Sequence, residues 1–155
     1  MHPNEKLIHT LYSAFSKRDH TTMADCYHEE ACFRDEVFEL EGKEQVAGMW
    51  QMLCERGDDL KIQFSDITAD AQTGSAHWVA DYTFSQTGRK VQNSIAASFI
   101  FQNGLILEHT DSFDFWAWSN QSLGFTGLFL GWTGWLKTKI RRKARYSLDQ
   151  YLANK

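Results

Sequence analysis

His109 and Asp111 stand two residues apart in LEHTDSFDF (107–115), a stretch that otherwise alternates like a β-strand. With a period of two, Leu105, Leu107, His109, Asp111, Phe113 and Phe115 share one face. Ile106, Glu108, Thr110, Ser112, Asp114 and Trp116 share the other, so Glu108 and Asp114 fall on a mostly wet side. The imidazole and the other carboxylate fall among Leu and Phe, where an unpaired charge is costly. Leaning together there, they are the groups of a proton-transfer pair: a general base, Asp111, and a partner or shuttle, His109. Asp35, in CFRDEVFEL (32–40), shares a face with Phe33 and Val37 and supplies a second candidate acid. The order His109-Thr110-Asp111 also matches the H-x-D of iron oxygenases, but that triad takes a further His downstream and none follows. No metal and no cofactor are expected.

The elements that must position these groups follow from hydrophobic period. Residues 4–17 read as an amphipathic helix with Leu7, Leu11, Ala14 and Phe15 on one stripe. Asp19 caps a shorter helix over 20–28, whose apolar residues are Met23, Ala24 and Tyr27. CFRDEVFEL is a short strand pair. A third helix spans 43–56, with Val46, Met49, Trp50 and Leu53 inward and Gly57 as its stop. The period then changes. Residues 60–67, 76–85 and 91–102 alternate, the last two placing Trp78, Tyr82 and Asn93 on inward faces. Asn103-Gly104 is a hairpin turn into the strand that carries His109. Helices followed by a meander make an α+β chain, a curved antiparallel sheet with helices on its concave face.

Totals narrow the function. A chain of 155 residues suits one domain, with a core over about 4–118 and an extension over about 119–155. The opening MHPNEKLIHTLYSAF is too polar for a secretory leader, and no apolar run reaches the ~18 residues of a membrane span, so a cytoplasmic protein is expected. Cys26, Cys32 and Cys54, lacking metal-ligand spacing, read as small buried hydrophobes. Residues 1–136 hold 9 Lys/Arg against 19 Asp/Glu, while 137–155 hold 7 against one. So acidic a body argues against nucleic acid.

The order LYSAFSKRDHTTMADCYHEEACFRDEVFELEGKEQVAGMW, followed by SFIFQNGLILEHTDSFD, resembles the SnoaL-like and ketosteroid-isomerase branch of the nuclear transport factor 2-like superfamily. The resemblance covers roughly residues 4–118. It implies a cone-shaped sheet whose concave face, closed by helices, forms a deep apolar cavity. That is the face to which period assigns His109, Asp111, Asn93, Trp78, Tyr82 and Asp35. Asp35 matches the proton-shuttling Asp of ketosteroid isomerase. That enzyme's two oxyanion donors are a Tyr and a protonated Asp. Here the Asp position matches Ala97, and the helical Tyr position falls nearest Leu11, with Tyr12 one residue off. Without those donors a dienolate loses its main stabilisation, so steroid isomerisation is disfavoured. The SnoaL-like cyclases, which pair a strand Asp with a nearby His, are more similar.

The expected function is cofactor-free acid–base chemistry of isomerase, cyclase or hydrolase type on an apolar, oxygenated small molecule. Asp111, His109 and Asp35 are the catalytic candidates, and Asn93, Tyr82, Trp50, Trp78, Tyr12, Phe15 and Phe113 the substrate-binding ones. The rival is a non-catalytic ligand-binding or dimerisation module of the same fold. A homodimer is expected from exposed aromatic surface. In the tail, LGFTGLFLGWTGWL (123–136) spaces Gly124, Gly127, Gly131 and Gly134 as the small-residue seam of a helix, and a basic helix follows over about 137–152. Aromatic and basic together suit an anionic membrane. The acidic body is the nearer partner, so the tail is expected to lid the cavity or pack on a partner subunit, and membrane contact is disfavoured.

Overall fold

The structure, a computed structural model, describes residues 1–124 and 134–154. Helix α1 (Pro3–Ser16) opens at His2, whose Nδ1 accepts from the Asn4 amide at 3.0 Å, and Pro3 sits in the first turn, where a missing N–H costs nothing. Asp19 caps α2 (His20–Asp25) through the Thr22 amide. This helix stops earlier than its apolar residues suggest, because Tyr27 already belongs to β1 (Tyr27–Arg34). After β2 (Glu39–Glu41), α3 (Lys43–Arg56) ends at Gly57 as the sequence requires. Arg18 donates to the carbonyls of Cys54, Gly57, Asp58 and Leu60, meeting acceptors that a helix end leaves open.

Four long strands follow: β3 (Lys61–Ala69), β4 (Thr73–Phe84), β5 (Arg89–Gln102) and β6 (Leu105–Ser112). The sheet order is β2-β1-β6-β5-β4-β3. Every pairing is antiparallel except β1 with β6, which is parallel. These two meet across the whole meander instead of a hairpin, so no tight turn dictates their direction. Asn103 and Gly104, with φ of 54° and 76°, make the expected turn. Register shifts in β1, β3 and β6 bend the sheet around its inner face.

One shift corrects the parity count. Ile100 pairs with Glu108 but Phe101 pairs with Ile106, so β6 holds one extra residue at Leu107. Ile106 therefore turns inward and is fully buried, while His109 and Asp111 keep their inward places. A second correction lies just beyond. The strand ends at Ser112, and Asp114 caps a helix, α4 (Phe115–Leu123), by accepting from the Ala117 amide at 3.0 Å. Its aromatic run reads as strand by propensity, and the cap overrides that reading. Cys26 and Cys54 are buried as expected, but Cys32 is exposed, on the outward beat of β1.

Ile8, Leu11, Phe15, Val46, Met49 and Trp50 of α1 and α3 pack on Ala76, Trp78, Ile95, Ala97, Phe99 and Phe101 of the sheet. The final helix, α5 (Gly134–Ala153), joins that core through the fully buried Leu148. Gly48 lets it approach α3, since a Cβ there would stand 2.4 Å from Leu152 Cδ2. Its basic side chains grip the β1–β2 connection: Lys137 pairs with Glu36, Arg141 donates to the Glu36 carbonyl at 2.9 Å, and Arg145 to the Glu39 carbonyl at 3.3 Å. The acidic body is thus the partner of the basic tail. Gly127, Gly131, Phe125, Phe129 and Trp132 of the expected seam lie outside the described residues. Among the described residues no helix is long and apolar enough to cross a membrane. If α5 is part of the folded core, Leu148→Ala should cost about 2–4 kcal/mol in urea unfolding, the scale for a buried Leu truncated to Ala. An unchanged midpoint would show that α5 does not depend on this contact.

Candidate functional site

His109 and Asp111 lie opposite Phe99 and Ala97 on the inner face of the β5–β6 ladder. Side chains at i and i+2 begin about 7 Å apart on a strand, yet here they lean together, with His109 Nε2 2.8 Å from Asp111 Oδ1. Trp78 Nε1, from β4, donates to the same oxygen at 3.4 Å. Behind the ring, His109 Nδ1 lies 2.8 Å from the Tyr27 hydroxyl, and Trp50 Nε1 donates to that hydroxyl at 2.9 Å.

This chain of contacts orders the hydrogens. An indole nitrogen only donates, so the Tyr27 oxygen accepts from Trp50 and sends its one hydrogen to Nδ1. Nδ1 is then the acceptor nitrogen, and Nε2 carries the hydrogen given to Asp111, a tautomer assigned from the network. The opposite order would leave the Tyr27 hydrogen without an acceptor in a buried site. Burial, with the nearby Asp111 charge adding to it, pushes the Tyr27 hydroxyl well above its ordinary pKa. It stays a donor.

Asp111 faces a cavity of about 400 Å³. Phe15, Phe33, Trp50, Trp78, Tyr82, Phe113 and Trp118 supply its aromatic wall, and α5 adds Ile140, Lys143 and Ala144. Asn93 and Asp35 also line it. Asp35 follows β1 directly, and continuing the register in which Arg34 pairs with Thr110 brings it beside Asp111. Its Oδ1 accepts from the Val37 and Phe38 amides at 2.7 and 2.6 Å, an Asx turn that holds the carboxyl still. Burial pushes Asp35 up to about 6 against the pull of those amides, and the Asp111 charge adds to the rise. Arg34 does not neutralise it, being paired with Glu39 at 3.2 Å on the exposed side.

Two expected site residues stand elsewhere. His109 is buried behind Asp111 and is not part of the cavity wall. Tyr12 sits in the core, its ring 5.7 Å from that of Phe64 and 5.8 Å from that of Trp78, also outside the wall. Its hydroxyl finds no partner among the described residues, and burial and the Asp111 charge raise its pKa well above the usual value. Tyr27 was legible only as an apolar helix residue. The register jump between Tyr27 and Cys32 hides it, because it breaks the alternation that would have extended β1 back to the start of the strand.

A curved, open sheet with helices closing an acidic, aromatic cavity defines a nuclear transport factor 2-like protein, and the solved structures agree. A candidate polyketide cyclase of Xanthomonas campestris superposes with a TM-score of 0.65 at 20% identity, over 77% of this chain and 96% of its own. A second, from a Silicibacter species, gives 0.65 at 21%, over 76% and 93%. A protein of ketosteroid isomerase-like fold from Catenulispora acidiphila, solved with trimethylamine, gives 0.65 at 10%, over 75% and 91%. Curated proteins yield no match. The family profile of the SnoaL-like domain matches residues 8–109. The chain belongs to that family.

Two outcomes follow from the geometry. Asp35→Asn keeps the Oδ1 acceptor of the Asx turn and removes the ionisation. A carboxyl raised from 3.8 to about 6 is protonated in both states below pH ~3 and destabilises the fold as it would ionise, so wild-type stability falls between pH ~3 and ~6.5. The variant's stability advantage in urea unfolding should be near zero at pH ~3, grow up to pH ~6.5 and then level off at about 3 kcal/mol; a flat difference would remove the assignment. Tyr27→Phe leaves both Nδ1 and the Trp50 N–H buried without partners and should cost about 2–4 kcal/mol in urea melts. An unchanged midpoint would mean the network is not closed.

Proposed function

We propose that the protein carries out cofactor-free acid–base chemistry on an apolar, oxygenated small molecule, a cyclic ketone, polyketide or terpenoid, held in the cavity. The observation that carries this reading is the carboxylate pair lining an aromatic cavity: Asp111 is a hydrogen-bond acceptor for two N–H donors, and burial pushes Asp35 up to about 6. Neighbouring carboxyls in unlike environments divide into base and acid. Asp111 takes a proton from carbon next to a carbonyl, leaving an enol or enolate, and Asp35 returns a proton to oxygen or to another carbon. His109, buried behind Asp111, orients the base. The structural neighbours described as candidate polyketide cyclases support a ligand of that type.

One observation favours the non-catalytic module. Tyr27, Trp50 and Trp78 give both His109 ring nitrogens and Asp111 Oδ1 protein partners, as a structural network would. Deuterium exchange at the carbon next to the carbonyl of 2-tetralone, followed by NMR in D2O, separates the two. Catalysis predicts exchange above buffer that drops ~10²-fold in Asp111→Asn, the usual scale for losing a general base, while the fold persists. No exchange with wild type, together with a large stability loss in both Asp111→Asn and His109→Gln, would make the pair structural.

A further inference from the structure

Farther along the sheet from Asp111, though still within reach of the Asp35 charge, which adds to the burial that raises the Tyr82 pKa, lies polar chemistry that the carboxylate pair does not use. Asn93, on the inner face of β5, is nine-tenths buried and lines the cavity, and among the described residues its carboxamide makes no hydrogen bond. Tyr82 lines the same space. Trp118 Nε1 donates to the Tyr82 hydroxyl at 2.7 Å, so that oxygen is an acceptor toward Trp118 and its own hydrogen is unspent. The β4–β5 register pairs Ala80 with Asn93 and Tyr82 with Val91. That makes Tyr82 and Asn93 diagonal neighbours on one face, about 7 Å apart at the backbone. Two side chains with unspent N–H and O–H donors therefore neighbour one another on the cavity wall.

We propose that Asn93 and Tyr82 form a second subsite, which holds an acceptor oxygen (a carbonyl or an ionised enol or phenol) at the end of the ligand remote from Asp111. The register sets the spacing. Asp111 pairs with Ala97, four residues along β5 from Asn93, which is about 13 Å of strand at 3.3 Å per residue. The ligand is thus elongated, with its reacting carbon near Asp111 and an oxygen on the order of 10 Å away. The Tyr82 hydrogen and the Asn93 N–H groups call for an acceptor oxygen, while Asn93 Oδ1 accepts from water or a ligand hydroxyl beside it; a ligand that displaces water without supplying the acceptor leaves the donors buried and unmet. Trp118 fixes which way the Tyr82 hydrogen is free to point. This inference rests on the cavity being a ligand site, but not on Asp111 acting as a base.

The test is binding of 4-phenylcyclohexanone against its isostere 4-phenyl-1-methylidenecyclohexane, read by quenching of the cavity tryptophans. Wild type should bind the ketone at least tenfold more tightly, although the hydrocarbon is the more apolar ligand. The double variant Asn93→Leu with Tyr82→Phe should lose or reverse that preference. In NMR spectra of wild type, the Asn93 side-chain amide signals should shift with the ketone and not with the hydrocarbon. Equal or tighter hydrocarbon binding by wild type, or a preference that survives in the double variant, would overturn the subsite. Should the double variant not fold, unshifted Asn93 amide signals on ketone binding would overturn it as well. If neither probe binds wild type, the cavity is not a site for such ligands and the proposal falls with that premise. Loss of ketone selectivity leaves the base role of Asp111 to be judged by deuterium exchange alone.

Discussion

A carboxylate and an imidazole can leave water together only if each of their buried hydrogen-bonding atoms meets a partner. That demand ties this molecule together. Satisfying His109 and Asp111 takes Tyr27 from the first strand, Trp50 from the third helix and Trp78 from the fourth strand. Tyr27 and His109 are 82 residues apart in the chain, so their bond also specifies the parallel docking of β1 on β6, where no hairpin could impose it. Trp50 can reach the Tyr27 hydroxyl only with α3 at one rotation. The same rotation brings Met49 and Leu53 to the cavity. The polar chain sets the register of the apolar wall.

The sequence displays some of this and conceals the rest, for reasons that differ by residue. Strict alternation in β5 made Asn93, Ala97 and Phe99 readable as inward positions, and all are buried. Helix α3 was readable to its ends, because apolar spacing and Gly57 agree on where it stops. The bulges were not readable. A one-residue insertion in β6 turned Ile106 inward, and a longer one in β1 disguised Tyr27, since a bulge has no residue signature beyond the pairing that it interrupts. His109 was placed on the correct face, and its depth behind Asp111 was not readable. Parity tells inward from outward. It does not tell which inward side chain borders empty space and which stands behind another.

The departure from ketosteroid isomerase now has a spatial meaning. Ala97 occupies the position that resembles that enzyme's donor acid, and it pairs directly across the ladder with Asp111. Asp111 stands one strand over, opposite the small methyl group of Ala97. There it meets the Nε2–H of His109 and is an acceptor held in place, where the isomerase position calls for a protonated donor. Donor chemistry is found instead at Tyr82 and Asn93, farther along the sheet from Asp111. Base and donors are therefore separated along the sheet, which suits a longer ligand than one whose oxygen must sit beside the reacting carbon.

The extension beyond the matched family region completes this geometry. Helix α5 contributes Ile140, Lys143 and Ala144 to the cavity, and its Lys137 and Arg141 hold Glu36, the residue next to Asp35. The Asx turn that fixes the Asp35 carboxyl spans residues 35–38, so α5 grips the very loop that presents this acid. Without the helix, Asp35 would stand closer to solvent. Its elevated pKa comes first from burial, so a cavity opened to water would return it toward an ordinary carboxylate. The uneven charge of the chain, acidic in the body and basic at the end, thus serves an internal contact: it closes the cavity over a carboxyl whose protonation depends on the closure.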